Sequence, residues 1–523
     1  MRTALMSIGV HQWVLPALLF WPVIAAFLVR VIGRDVSRDA LGAEAPSGGP
    51  DARTLTLGAL IVEALLGLAL WGVFDPNKKG WQATFEAPWI SDLGASLSLA
   101  VDGLSMPLAV VTVVLLPITL LGAWNNVRVR TPSFGALILF LTSGLVGVFI
   151  ATDLLVFYLA WELMLIPTYL LVGVWSKAGQ AKAALRYVLF TLVGSLLMLV
   201  AIVVLWNLGE ANSFTWDHLV LITIPPRTQL FLALAFLTAF LVKSALVPFH
   251  TWFADAQEAA PTFAAVTIGF KVGAYGLLRF VLPLFPSGLA WSPVRNTLLV
   301  LALIAIVYGA FVALAQRDLK RVISYSSISH FGFILLGVMA FTSQGAEGVA
   351  MSIVNSSLTT CALFLLAGIL EDRTGSSDLT QFGGLAARAP WFGFALTVAM
   401  LASIGLPGTS GFVAEWLVLF GTFLSRPTHT LIATTGVVFA AAYGLRAVQM
   451  LLYGSAGERT ASMTDLTGRE RVALGLVMAA IVVLGIAPAP VLRPLMTGTN
   501  TVIEAVQFGP NAPFANPSMS VTR

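Results

Sequence analysis

Charge is scarce in this 523-residue chain: Asp, Glu, Lys and Arg make up 10% of it, against 58% hydrophobic residues. A soluble protein carries about a quarter charged residues, so a water-soluble globule is excluded. Cysteine is nearly absent. The single Cys361 excludes an intrachain disulfide and cannot by itself hold an iron–sulfur cluster. Gly-rich phosphate loops, metal-ligand clusters and nucleophile elbows are missing from the polar segments. The chain is therefore expected to make no covalent bonds itself and to bind no cofactor or metal. The formal net charge is only +4, and in so apolar a chain the distribution of Lys and Arg matters more than their sum. No nucleic-acid partner is expected.

What the chain does have is apolar runs of about 17 to 25 residues, each long enough to cross a hydrocarbon core roughly 30 Å thick. They predict an all-α, polytopic membrane protein with about fourteen transmembrane helices. Their positions are near 12–32, 54–74, 104–125, 132–151, 153–175, 183–208, 228–250, 261–285, 295–315, 320–342, 347–370, 391–425, 430–454 and 470–490. The first run is full length after one basic residue, which reads as a retained span rather than a cleaved signal. With the N-terminus outside, most loop Lys and Arg fall on the cytoplasmic side, among them Arg34, Arg38, Arg128, Arg130, Lys177, Lys182, Arg317, Lys320 and Arg321. Both termini are thus expected outside a bacterial inner (plasma) membrane.

Outside the spans, 33–53 reads as a flexible cytoplasmic connection and 75–100 as a mixed polar and aromatic stretch on the outer side. The 500–523 tail, with Pro510, Pro513 and Pro517, reads as a poorly ordered extension. The interior is roughly doubled, with Pro-interrupted segments at Lys243 to Asp255 and at Ile404 to Phe412. Paired broken helices point to a transporter built from two inverted five-helix repeats. The expected division is 1–125 (helices 1 to 3), 126–290 (first repeat, helices 4 to 8), 291–455 (second repeat, helices 9 to 13) and 456–523 (helix 14 and tail).

An ionisable side chain at the centre of a membrane helix costs about 2.5 to 3.5 kcal/mol on insertion scales, so each one needs a reason. Glu162 stands in the fifth span, five residues before Pro167. Lys243 stands in the seventh, five residues before Pro248, with His250 beyond. Lys271 lies in the eighth, and Glu415 in the twelfth, after the Gly405–Pro407–Gly408 break. Two acids and two bases across four spans suit a proton relay, because their charge states respond to one another. Fixed ion pairs that hold helices together are the alternative; number and depth favour the relay. His330, among serines in SYSSISHFGF, is a titratable candidate or a packing residue. Glu63 is read as structural, Arg446 as a side chain reaching for the interface, and Asp255 and Glu258 as caps of a half-helix.

The segments FYLAWELMLIPTYLL, VKSALVPFHTWFADAQEAAPT, KVGAYGLLRF, AQRDLKRVISYSSISHFGF and IGLPGTSGFVAEWLVLFG resemble the antiporter-like subunits of proton-pumping NADH:quinone oxidoreductase (respiratory complex I), relatives of Mrp-type cation/proton antiporters. The glutamate at 415 resembles the subunit M branch, where the other branches usually carry lysine. The resemblance implies a pairing of Glu162 with Lys243 and a link from Lys271 to Glu415 as the exit. It also implies neighbouring membrane-arm subunits as partners, protons as cargo, and NADH, flavin, iron–sulfur clusters and quinone held by other subunits. Two departures stand out. The eighth span is about three residues short before Lys271, nearly one 3.6-residue turn, so the lysine is expected on the same face at another depth. Ser356, beside Asn355, replaces the family's histidine in the eleventh span. An Mrp-type antiporter, a membrane subunit of an energy-coupled hydrogenase or inorganic-carbon uptake system, and a proton-inactive paralogue share the motifs.

Overall fold

Within lipid every backbone N–H and C=O needs a partner from the chain itself, which leaves helices as the way for such runs to cross. The computed structural model describes residues 2–7, 9–35, 50–176, 180–209 and 213–513. Most of the 33–53 stretch with Arg38, residues 177–179 with Lys177 and the residues after 513 lie outside the described residues. Among those described, twelve helices are long and apolar enough to cross a membrane. The bent pair Gly468–Ile486 and Ala489–Phe508 makes a thirteenth candidate, and the shorter apolar helices Pro390–Ser403 and Ser410–Ser425 lie where the broken twelfth span is expected.

In chain order the fifth span is Leu154–Trp175, the sixth Lys182–Leu208, and the seventh starts as Pro226–Lys243. The eighth is Thr262–Leu284, the ninth Ser292–Ala315, the tenth Leu319–Val338 and the eleventh Ser343–Thr374. The eleventh is enclosed along its apolar length, against the third span (Ser105–Gly122), the tenth and the broken twelfth. The sixth instead exposes Leu185, Leu189, Val193, Leu196 and Val200, a helical-period stripe left for lipid.

Both breaks expected from sequence are present. The seventh span stops at Lys243 and resumes as Thr251–Ala259; the indole N–H of Trp252 donates to the carbonyl of Val242 at 3.2 Å, partnering a backbone oxygen beside the break. The twelfth stops at Ser403 and resumes at Ser410, crossing Gly405 at φ 73° and Gly408 at φ 91°, angles that favour glycine.

Three expectations about the fold need correction. The 75–100 stretch is not a loop throughout: among the described residues the otherwise all-α body has one small antiparallel hairpin, Gln82–Ile90 with Ala95–Val101, in which Phe85 faces Leu99 and Ala87 faces Leu97. Its period-two pattern is too short to stand out from a polar and aromatic loop. Residues 500–508 are no loose tail: they complete the helix Ala489–Phe508, bent 66° from the last span, which buries Val491, Leu495, Val502 and Val506. The prolines follow that helix, and Asn511 is tied to the Ile222 carbonyl and the Ile224 N–H, each at 2.9 Å. The eighth span is broken at Lys271 rather than merely shifted, with Thr262–Ile268 before the joint and Val272–Gly276 after it. Gly269 and Gly273 flank the joint, and glycine is a poor helix former.

Candidate functional site

Glu162 and Lys243 make no direct ion pair. The Lys243 ammonium, at the last residue of its half-helix, donates to the Tyr187 hydroxyl at 3.0 Å. It also lies 5.1 Å from the Tyr187 ring and 5.7 Å from the ring of Trp161, the neighbour of Glu162. Glu162 itself keeps one buried oxygen without a hydrogen-bond partner. The electron-rich faces of aromatic rings attract an ammonium even where no carboxylate pairs with it. Beside Lys243 is a small cavity, with room for about one water molecule, lined by Tyr187, Thr168, Thr267 and Val272. It reaches from the break of the seventh span to the residue after Lys271.

Lys271 is 1% exposed, at the unwound joint of the eighth span. Its ammonium donates to the Ser327 carbonyl at 3.3 Å and sits 3.6 Å above the Phe331 ring, a contact worth about 2 kcal/mol when desolvated. Among the described residues no carboxylate lies within ion-pair distance of it. The turn that follows is pressed onto the seventh span: a methyl group on Gly273 would stand 2.3 Å from Ser244 Oγ and 2.7 Å from the Phe240 carbonyl oxygen. The two breaks therefore abut, a contact that only a residue without a side chain permits.

One residue before Phe331, His330 turns Nε2 to within 3.9 Å of Glu415 Oε1, too far for a hydrogen bond. Glu415 in turn leans on the break of its own span, its other oxygen 2.4 Å from where a Gly405 Cβ would stand. The tenth and eleventh spans bury Ser326, Ser327, Ser329, Asn355 and Ser356, of which Ser329 donates to the Ile306 carbonyl of the ninth span at 2.9 Å. Asn355 Oδ1 accepts from Ser410 Oγ at 2.8 Å, at the start of the half-helix that carries Glu415.

The remaining candidates fall elsewhere. His250 bonds the Tyr308 hydroxyl of the ninth span at 3.1 Å and does not join Lys243. Asp255 and Glu258, expected as caps, cap no helix end: both lie inside Thr251–Ala259 and are held by arginines. Arg321 bonds Glu258 at 2.6 Å and Asp255 at 3.1 Å, and Asp255 also takes Arg186 at 2.6 Å. Arg446 bonds the carbonyl of Leu314 and that of Gln316 at the end of the ninth helix. Glu63 is fully buried with neither oxygen partnered. Among the described residues no group of three or more His, Cys, Asp or Glu is arranged to hold a metal ion.

Sequence reasoning missed Tyr187, Phe331 and the buried pair of Arg279 and Asp102, 2.5 Å apart. An arginine eight residues after Lys271, in the same apolar span, was the available signal for that pair. For Tyr187 and Phe331 there was none, since aromatic residues are ordinary in membrane helices.

A model of the NADH:quinone oxidoreductase/Mrp antiporter transmembrane family matches residues 151–440, the stretch that holds the breaks after Lys243, at Lys271 and after Ser403. The chain belongs to this family. Within the NADH:quinone oxidoreductase/Mrp antiporter family it is 35% identical over 493 residues to an NADH-quinone oxidoreductase subunit M of Rhodobacter capsulatus, covering 91% of this chain and 94% of that one. It is 34% identical over 452 residues to an F(420)H(2) dehydrogenase subunit M of Methanosarcina mazei, covering 84% and 91%. A chain of respiratory complex I from Thermus thermophilus superposes with a TM-score of 0.83 at 31% identity, over 94% of this chain and 99% of that one. The family indicated by the motifs is the family found.

Proposed function

We propose that this chain carries protons across a bacterial inner membrane as an antiporter-like subunit of an oxidoreductase complex that passes electrons from NADH, or another donor, to quinone. One observation carries the reading: each of three interrupted spans has an ionisable side chain at or against its break, namely Lys243, Lys271 and Glu415. Unwound backbone in a membrane is tolerated where it lines a protein-enclosed or watered path. Relatives named for NADH and for F(420)H(2) support one membrane part serving different electron inputs. NADH, flavin, iron–sulfur clusters and quinone belong to other subunits, and this chain acts as part of a translocase with no redox centre of its own.

Glu162 receives the signal from a neighbouring membrane-arm subunit and acts on Lys243 through the shared Trp161 and Tyr187 surroundings. Lys243 exchanges protons by way of the adjoining cavity with Lys271, whose ammonium is held by Ser327 and Phe331. His330 hands the proton to Glu415, which releases it outward beside the twelfth-span break. His250 and Tyr308 extend hydrogen bonding toward the ninth span. Moving one charge against about 100 mV takes about 2.3 kcal/mol, within reach of charge rearrangement at low dielectric. The two repeats, 126–290 and 291–455, each supply a broken helix, and both termini face outward.

A cation/proton antiporter of the Mrp type, and a subunit of an energy-coupled hydrogenase or carbon-uptake system, are the alternatives. Sodium dependence and partner subunits separate them. The test is quinone-reductase activity and proton uptake in vesicles that hold the whole complex, with Glu162→Gln and Lys243→Ala beside wild type. Loss of pumping in both with assembly intact is expected; full pumping in both reduces the chain to a scaffold.

A further inference from the structure

We propose that the buried Asp102–Arg279 pair positions the transport path: it anchors the far end of the helical rod that begins at Lys271, and so fixes where Lys271 stands against the break at Lys243. This inference rests on the proton-path reading above. Arg279 Nη2 donates to Asp102 Oδ1 at 2.5 Å, with side chains only 5% and 8% exposed. Arg279 Nε donates to the Tyr275 hydroxyl at 3.2 Å, and that hydroxyl donates to the Phe149 carbonyl at 3.4 Å. The guanidinium also lies 5.0 Å from the Trp81 ring and 5.8 Å from that of Trp216.

Asp102 is itself held. It follows the hairpin and accepts the N–H groups of Leu104 and Ser105 at 3.1 and 2.9 Å, at the entrance to the third span. A buried ion pair is a poor device for stability alone, because apolar residues of the same volume do as well or better. Placement gives this pair its use. Eight residues separate Lys271 from Arg279, about 12 Å of continuous helix, and the stretch includes a π turn, Leu277–Val281, a form common at functional sites.

At the Lys271 end, Gly273 and Gly276 touch the seventh span so closely that a methyl on Gly276 would stand 2.3 Å from the Phe240 ring. The rod is thus held at one end by glycine contacts with the segment that ends in Lys243 and at the other by Asp102. Neither Arg279 nor Asp102 bonds Lys243, Lys271, His330 or Glu415, so both are positioning residues. Their charge interaction sets the depth of the lysine without carrying the proton.

The experiment compares Arg279→Gln, Arg279→Lys, Asp102→Asn and the exchanged double variant Asp102→Arg with Arg279→Asp, in vesicles that hold the whole complex. Complex content, protons moved per electron and the pH profile of pumping are read together. Arg279→Gln and Asp102→Asn are expected to lower protons per electron at least twofold and to displace the pH profile, with Arg279→Lys recovering most of both. Wild-type ratio and profile in assembled Arg279→Gln or Asp102→Asn overturn the inference. Loss of the complex in those variants, with an unaltered ratio and profile in Arg279→Lys, overturns it too, because the pair then only holds the fold. Glu162→Gln and Lys271→Met in the same vesicles separate the two readings. If they pump as wild type, the proton path itself fails; if they stop pumping while the Arg279 and Asp102 variants continue, only the anchor fails.

Discussion

Gly273→Ala probes the contact between the two lysine-bearing breaks with a single added methyl group. In isolation the change favours the helix Val272–Gly276, since alanine exceeds glycine in helix propensity by about 1 kcal/mol. The tertiary contact opposes it. The new Cβ would stand 2.3 Å from Ser244 Oγ and 2.7 Å from the Phe240 carbonyl oxygen. The hydroxyl can rotate, but the carbonyl belongs to a helix backbone. Ordinary contact begins at 3.4 Å, so the rod must retreat from the seventh span by about 0.7 Å. Overpacking of that kind costs about 1 to 3 kcal/mol, leaving a net loss of up to about 2 kcal/mol after the propensity gain.

The thermal-inactivation half-life of the purified complex reads that loss, because large assemblies unfold irreversibly. A shorter half-life is expected together with fewer protons per electron, since retreat of the rod carries Lys271 away from Lys243. The double variant Gly273→Ala with Ser244→Ala should recover only part, as the Phe240 carbonyl remains. Wild-type half-life and wild-type proton ratio in Gly273→Ala would refute the claim that this contact fixes the lysines.

Three further outcomes follow from single contacts. Gly405→Ala should cost about 1 to 2 kcal/mol for the left-handed backbone and push the Glu415 carboxylate from its seat; a stable variant with normal pumping would contradict this. Ser410→Ala leaves the Asn355 amide oxygen buried without its donor, a loss of about 1 to 3 kcal/mol, and adding Asn355→Leu should return part of it in the same thermal assay. Arg321→Met strips Asp255 and Glu258 of a shared partner in a half-buried setting, so its destabilisation should lie between the surface and buried limits of about 1 and 3 to 5 kcal/mol. Glu258→Gln should be milder, and equal effects would count against a shared network.

Sequence alone determined the spans, the two Pro- or Gly-marked breaks and the buried ionisable residues, because those properties are local: a run of apolar residues must be helical in lipid, and a charge within it is conspicuous. The partners of those charges were not local. Tyr187, rather than Glu162, bonds Lys243, and Phe331 rather than a carboxylate faces Lys271; each is an ordinary aromatic until another span brings it within reach. The third break at Lys271 was hidden for a related reason. Gly269 and Gly273 weaken the helix, but the close approach of the seventh span makes a glycine necessary at 273. The tail shows the opposite case, where the prolines after 509 obscured the buried stripe of Ala489–Phe508. Which charges exist was written in the chain; what each one touches was decided by packing, because a contact between helices depends on two surfaces and no single segment encodes both.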